Sequence, residues 1–123
     1  MSSISIRSSL LFLALVMYQC DSTRFANAQP PAAPVVVVHA RKFAFVPSEI
    51  TLKKGQTTKL VLISDDVRHG LAVKGLGIRV DIPAGHRTEI SVTPAQTGDF
   101  PGACSVYCGS GHRDMEFLIH VVN

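Results

Sequence analysis

The sequence predicts an all-β fold: one sandwich or barrel of short antiparallel strands. Three observations carry that prediction. Short β-branched and apolar runs recur along the chain, each bounded by Gly or Pro. After residue 28 no window long enough for a helix repeats its apolar residues every 3.6 positions. A length of 123 residues with 46% apolar content suits one domain around one core.

Taken in order, residues 1–28 read as an export signal. Arg7 supplies the positive start, Leu10 to Tyr18 the apolar run, and Ala26-Asn27-Ala28 the small-x-small cleavage pattern. The apolar run is about half the roughly 20 residues that span a bilayer. An uncleaved membrane anchor is the alternative. A lipoprotein reading through Cys20 is weaker, because Tyr18 and Gln19 stand where small residues belong. Residues 29–34, Gln-Pro-Pro-Ala-Ala-Pro, form an extended lead-in that cannot be helix interior. The domain then occupies 35–123.

Its first strand runs over Val35 to Ala40, which is β-branched and apolar. Phe43-Ala44-Phe45 alternates and stops at Pro47, with both rings expected in the core. Ile50 to Lys53 leads into a turn at Lys54-Gly55. Thr57 to Ile63 places Leu60 and Leu62 on one face. Leu71–Val73, Ile78–Ile82, Thr88–Val92 and Phe117–Val122 complete the set. Phe100-Pro101-Gly102-Ala103 is read as loop, delivering the chain to Cys104. No repeat and no second domain are visible.

Composition excludes several functions. Twelve Lys/Arg and nine Asp/Glu are scattered, without a basic tract, so nucleic acid is not an expected partner. Loss of Arg7, Arg24 and Asp21 with the signal leaves a net charge of +2. No Ser/His/Asp arrangement or phosphate loop occurs. Asp65 and Asp66 read as turn residues at a strand end, and His39, His86 and His120 as surface or satisfied barrel residues.

The chemistry is concentrated between the last two predicted strands. Cys104, Cys108, His112 and Met115 fall within twelve residues, and His69 lies upstream. Thiolate, imidazole and thioether are the soft or borderline donors that select copper over magnesium, calcium or manganese. Once Cys20 leaves with the signal, the domain has two cysteines. A disulfide is the default for an exported pair, but this ring would enclose only three residues and constrain little of the unfolded chain. Gly109 and Gly111 allow tight bends between the donors. Two converging thiolates repel without a metal; with two copper ions they can bridge.

Cys-Ser-x-x-Cys-Gly-Ser-x-His-x-x-Met, with the upstream Ser64-Asp65-Asp66-Val67-x-His69, resembles the binuclear copper (CuA) domain of cytochrome c oxidase subunit II. It is similar also to the CuA domain of nitrous oxide reductase. The resemblance runs from about Phe43 to Val122. It implies a cupredoxin Greek-key β-sandwich or barrel and two coppers bridged by Cys104 and Cys108. His69 and His112 would each hold one copper, with Met115 and the backbone carbonyl of Val106 as weak ligands. That carbonyl needs no particular side chain, so Val106, where oxidase members often carry Glu, is compatible with the site.

Every coordination position is then filled by protein, and no open position remains for a substrate. The expectation is an exported, monomeric electron carrier, periplasmic or secreted, serving a cytochrome or small redox protein. It would be membrane-anchored only if the signal stays. The alternatives are a copper-handling protein for oxidase assembly and a mononuclear or disulfide-bearing cupredoxin. Three departures separate the chain from an oxidase subunit. It has no helix pair ahead of the copper domain, no Trp, and Leu71 where an aromatic residue often follows the ligand His. An acidic cluster for a basic cytochrome c is also missing.

Overall fold

The computed structural model describes residues 29–123; the expected export signal, with Cys20, lies outside them. Nine strands run in order: β1 Val35–Arg41, β2 Ala44–Val46, β3 Glu49–Lys53, β4 Thr58–Ser64, β5 His69–Val73, β6 Ile78–Ile82, β7 Arg87–Val92, β8 Gly98–Ala103 and β9 Glu116–Val122. Short 3-10 turns sit at Lys74–Leu76 and His112–Asp114, and no α-helix occurs among the described residues.

The strands form two sheets, ordered β2-β1-β4-β7 and β3-β9-β8-β5-β6. Side chains alternate across them as strand geometry requires. Val38, Ala40, Phe45, Leu60 and Leu62 come from one inner face; Leu52, Leu71, Val73, Ile82, Phe117, Ile119 and Val121 come from the other. All are buried in one cluster. Phe45 and Phe117 meet across the sandwich with ring centroids 5.4 Å apart and tilted by 57°. Such a pair adds about 0.5–1.5 kcal/mol beyond its area burial. Phe43 is only half-buried, packed at the margin of the core that Phe45 enters.

Two details depart from the sequence expectation. The sandwich is mixed rather than antiparallel, because β1 pairs parallel with β4 and β3 parallel with β9. The stretch read as loop before Cys104 is also a strand, β8, in register with β9 from Gly98↔Val121 to Ala103↔Glu116. Pro101 in an interior strand argues against that assignment, and its tolerance has a local cause. The Cys104 amide donates to the Met115 carbonyl at 3.0 Å, so residues 100 and 102 of β8 also face β9 with their hydrogen-bonding groups. Residue 101 faces the other way, where β8 meets β5 only at Ala72↔Ala103. Proline's missing N–H therefore removes no bond to β9.

Candidate metal centre

The centre is built where β5 begins and the β8–β9 connection turns back. His69 lies on the same face of β5 as Leu71 and Val73, so its ring enters the core end-on and is wholly buried. Gly70 lets the connection close over it. The Ser105 amide donates to the Gly70 carbonyl at 3.2 Å. A Cβ at residue 70 would collide with the Ser105 hydroxyl and stand 2.8 Å from Val106 Cγ2. Nothing in the sequence pattern marks that close approach.

All six residues expected at the site converge. Cys104 Sγ lies 3.8 Å from Cys108 Sγ, 4.0 Å from His69 Nδ1 and 3.1 Å from the Val106 carbonyl oxygen. Cys108 Sγ lies 3.7 Å from His112 Nδ1 and 3.9 Å from Met115 Sδ. Both cysteines are free thiols, and with Met115 they are buried. His69, Cys104 and Cys108 present one ligand atom each within 4.8 Å of one another. Each imidazole lies against one sulfur, His69 by Cys104 and His112 by Cys108.

Asp66, assigned above only to a turn, completes the support. Its Oδ1 accepts from His69 Nε2 at 2.7 Å and from the Val67 amide at 2.6 Å; its Oδ2 accepts from the Lys42 amide at 2.7 Å. Burial would raise this carboxyl, but the Lys42, His69 and Val67 hydrogen bonds together hold it below its ordinary value. A carboxylate can only accept, so His69 donates from Nε2 and, in its metal-binding form, turns the Nδ1 lone pair toward the sulfurs. This is the usual arrangement behind a metal-binding histidine. The signal that could have found it is the three-residue spacing from Asp66 to His69.

Burial, and then the neighbouring Cys104 thiol, push the Cys108 thiol up to about 11. The pocket thus disfavours a bare thiolate, and a bound cation reverses that preference. Of the remaining histidines, His86 is exposed and the other two are satisfied elsewhere. His39 pairs with Asp65 at 2.7 Å, and His120 lies between Asp99 and Glu49 on the outer face of the second sheet.

A two-sheet sandwich with this Cys, His and Met cluster between its last two strands defines a cupredoxin-like metal domain. The family model "Cytochrome C oxidase subunit II, periplasmic domain" matches residues 27–122. The chain belongs to that family. Cytochrome c oxidase subunit 2 of Thermus thermophilus is 32% identical over 85 residues, covering 69% of this chain and 63% of that protein. The Saccharomyces cerevisiae subunit 2 is 38% identical over 65 residues, 53% of this chain and 26% of that protein. The chain spans about a quarter of the length of several such curated relatives. Among solved structures, the periplasmic domain of cytochrome oxidase subunit II of Bradyrhizobium japonicum superposes with a TM-score of 0.67 at 21% identity. That match covers 76% of this chain and 86% of that one. Reduced auracyanin of Roseiflexus castenholzii gives 0.59 at 16% identity, over 75% and 99% of the two chains. At those identities the likeness is one of fold.

Proposed function

We propose that this protein is an exported copper domain that carries single electrons through a binuclear CuA-type centre. Cys104 and Cys108 would hold both metals, His69 and His112 one each, and Met115 and the Val106 carbonyl would be the weak ligands. Residues 1–28 are the export signal, 29–34 the lead-in and 35–123 the copper domain, placed in the periplasm or outside the cell. The observation that carries the reading is the unbroken run of donor contacts from His69 through both sulfurs to His112, with Met115 and the Val106 carbonyl beside them.

The donor set fits the metal: two sulfurs, two imidazoles and a thioether favour copper among the available ions. Bound there, a copper pair supplies one-electron storage shared between two ions. The chain's part is to hold the donors in place. β5 fixes His69, Asp66 fixes its tautomer, and the β8–β9 pairing fixes both ends of the loop. Burial keeps water from the sulfurs. Tyr107, 77% exposed, packs its ring 5.7 Å from that of half-buried His112. His112 is then the electron port for a redox protein, set in a small patch of Val106, Tyr107 and Gly111 with Arg113 at the rim.

The test is copper uptake by residues 29–123 under reducing, then mildly oxidising, conditions. Two coppers per chain and an intense purple sulfur-to-copper absorption are expected; one copper, or a colourless product, overturns the reading. Cys104→Ser or Cys108→Ser abolishes the absorption. Met115→Leu keeps copper but moves the reduction potential, and Val106→Ala changes little. A copper-delivery role is the alternative reading. The metal-binding domain of the Streptococcus pneumoniae Cu(I)-exporting ATPase CopA shares the fold, with a TM-score of 0.59 at 18% identity. Reversible one-electron cycling without metal loss separates the two.

A further inference from the structure

Two residues in the turn between β1 and β2 reach both halves of the centre. On one side the Lys42 amide donates to Asp66 Oδ2 at 2.7 Å, and the other oxygen of that carboxylate holds His69. On the other side the Phe43 ring lies flat against the ligand loop at Gly109 and Gly111. A Cβ at Gly109 would stand 2.8 Å from Phe43 Cε1 and 2.9 Å from Cζ. One at Gly111 would strike Cδ2 and Cγ and stand 2.9 Å from Phe43 Cβ.

The two glycines differ in an informative way. Gly109 has φ 138°, which only glycine adopts readily, so its backbone alone accounts for it. Gly111 has φ −89°, open to any residue. What excludes a side chain at Gly111 is the Phe43 ring. That ring presses on the turn in which the His112 amide donates to Gly109 and the Asp114 amide to Gly111, each at 3.1 Å. His112 is thereby held 3.7 Å from Cys108.

We infer that the Lys42–Phe43 turn braces the metal centre from outside, with Phe43 a positioning residue that seats His112 against Cys108 while the Lys42 amide seats His69 through Asp66. The inference rests on His69, Cys108 and His112 being ligands, as proposed above. Its consequence is a specific coupling: Phe43 and Gly111 act as a complementary pair.

The experiment is a double-mutant cycle on Phe43→Ala and Gly111→Ala, read in two states of the protein. In the copper-loaded form, each single substitution should speed copper loss to a chelator and shift the sulfur-to-copper absorption. The loss in affinity should be roughly ten- to hundredfold, the range for removing support behind a ligand. The double variant should retain copper better than either single one, because the new methyl enters the space the ring vacates. In the metal-free form, hydrogen exchange should quicken at the His112 and Asp114 amides in each single variant and recover in the double. Exchange across β4 and β5 should stay unchanged throughout. Independent, additive effects, or singles that behave as wild type, overturn the brace. Wild-type protein that binds fewer than two coppers defeats the ligand reading instead, and exchange in the metal-free form still reports on the brace.

Discussion

At the scale of single residues, Cys108 sets a proton account that can be measured. Its thiol is pushed up to about 11, so it is protonated at neutral pH and must lose its proton to bind a cation. Copper loading in weak buffer near pH 7 should acidify the solution by at least one proton per chain; a loading that releases none contradicts the ligand role. The same shift destabilises the metal-free protein in alkali. Unfolded, the thiol ionises near 9, while the folded state keeps its proton to about 11, so stability falls as pH rises through that window. The individual donors were legible in the sequence because soft ligands at short spacing are rare in any other role. Their supports were not. Asp66 looks like any acid in a turn, Gly70 like any strand glycine, and Phe43 like a core residue, since what defines each is a neighbour distant in sequence.

Among the strands, legibility followed side-chain chemistry. β1, β4 and β9 announce themselves by β-branched and apolar runs, whereas β8, Gly-Asp-Phe-Pro-Gly-Ala, offers two glycines and one proline. Hydrogen-bond parity along β9 makes it a strand, and parity is invisible without the partner. The outer face of that sheet also carries a charged tie. His120 on β9 donates from Nδ1 to Asp99 on β8 at 2.6 Å and faces Glu49 on β3 at 3.4 Å, so one imidazole links three strands. The Asp99 bond, then the Glu49 bond, raise its pKa above the ordinary histidine value. Its contribution is therefore complete below the unfolded pKa and disappears as pH climbs through the raised folded one. His120→Gln should lower the thermal midpoint most near pH 5–6, and the gap from wild type should close toward pH 8. A gap that ignores pH assigns His120 a packing role instead.

For the whole molecule, charge and chain path matter more than any contact. The net +2 expected if the proposed signal is removed, with Arg113 beside the proposed port, favours an acidic redox partner over a basic cytochrome c. In stopped flow, an acidic cytochrome should reduce the copper-loaded protein faster at low salt and slow as salt is added. A basic cytochrome that is the faster donor, and is itself slowed by salt, reverses that steering argument. The fold class could be read from the sequence, but not the parallel β1·β4 and β3·β9 pairings, because strand direction depends on connections that local patterning does not encode. The β3·β9 pairing has a consequence in time. Glu49 waits for Leu118, so β3 has no partner until residue 118 has been made. The loop bearing both thiols cannot be fastened at its far side before then. During synthesis, both sulfurs are therefore still open to oxidants and stray metals after most of the sandwich has emerged. The strand that shuts them away contributes no ligand of its own, and deleting it should cost the centre as surely as deleting a cysteine.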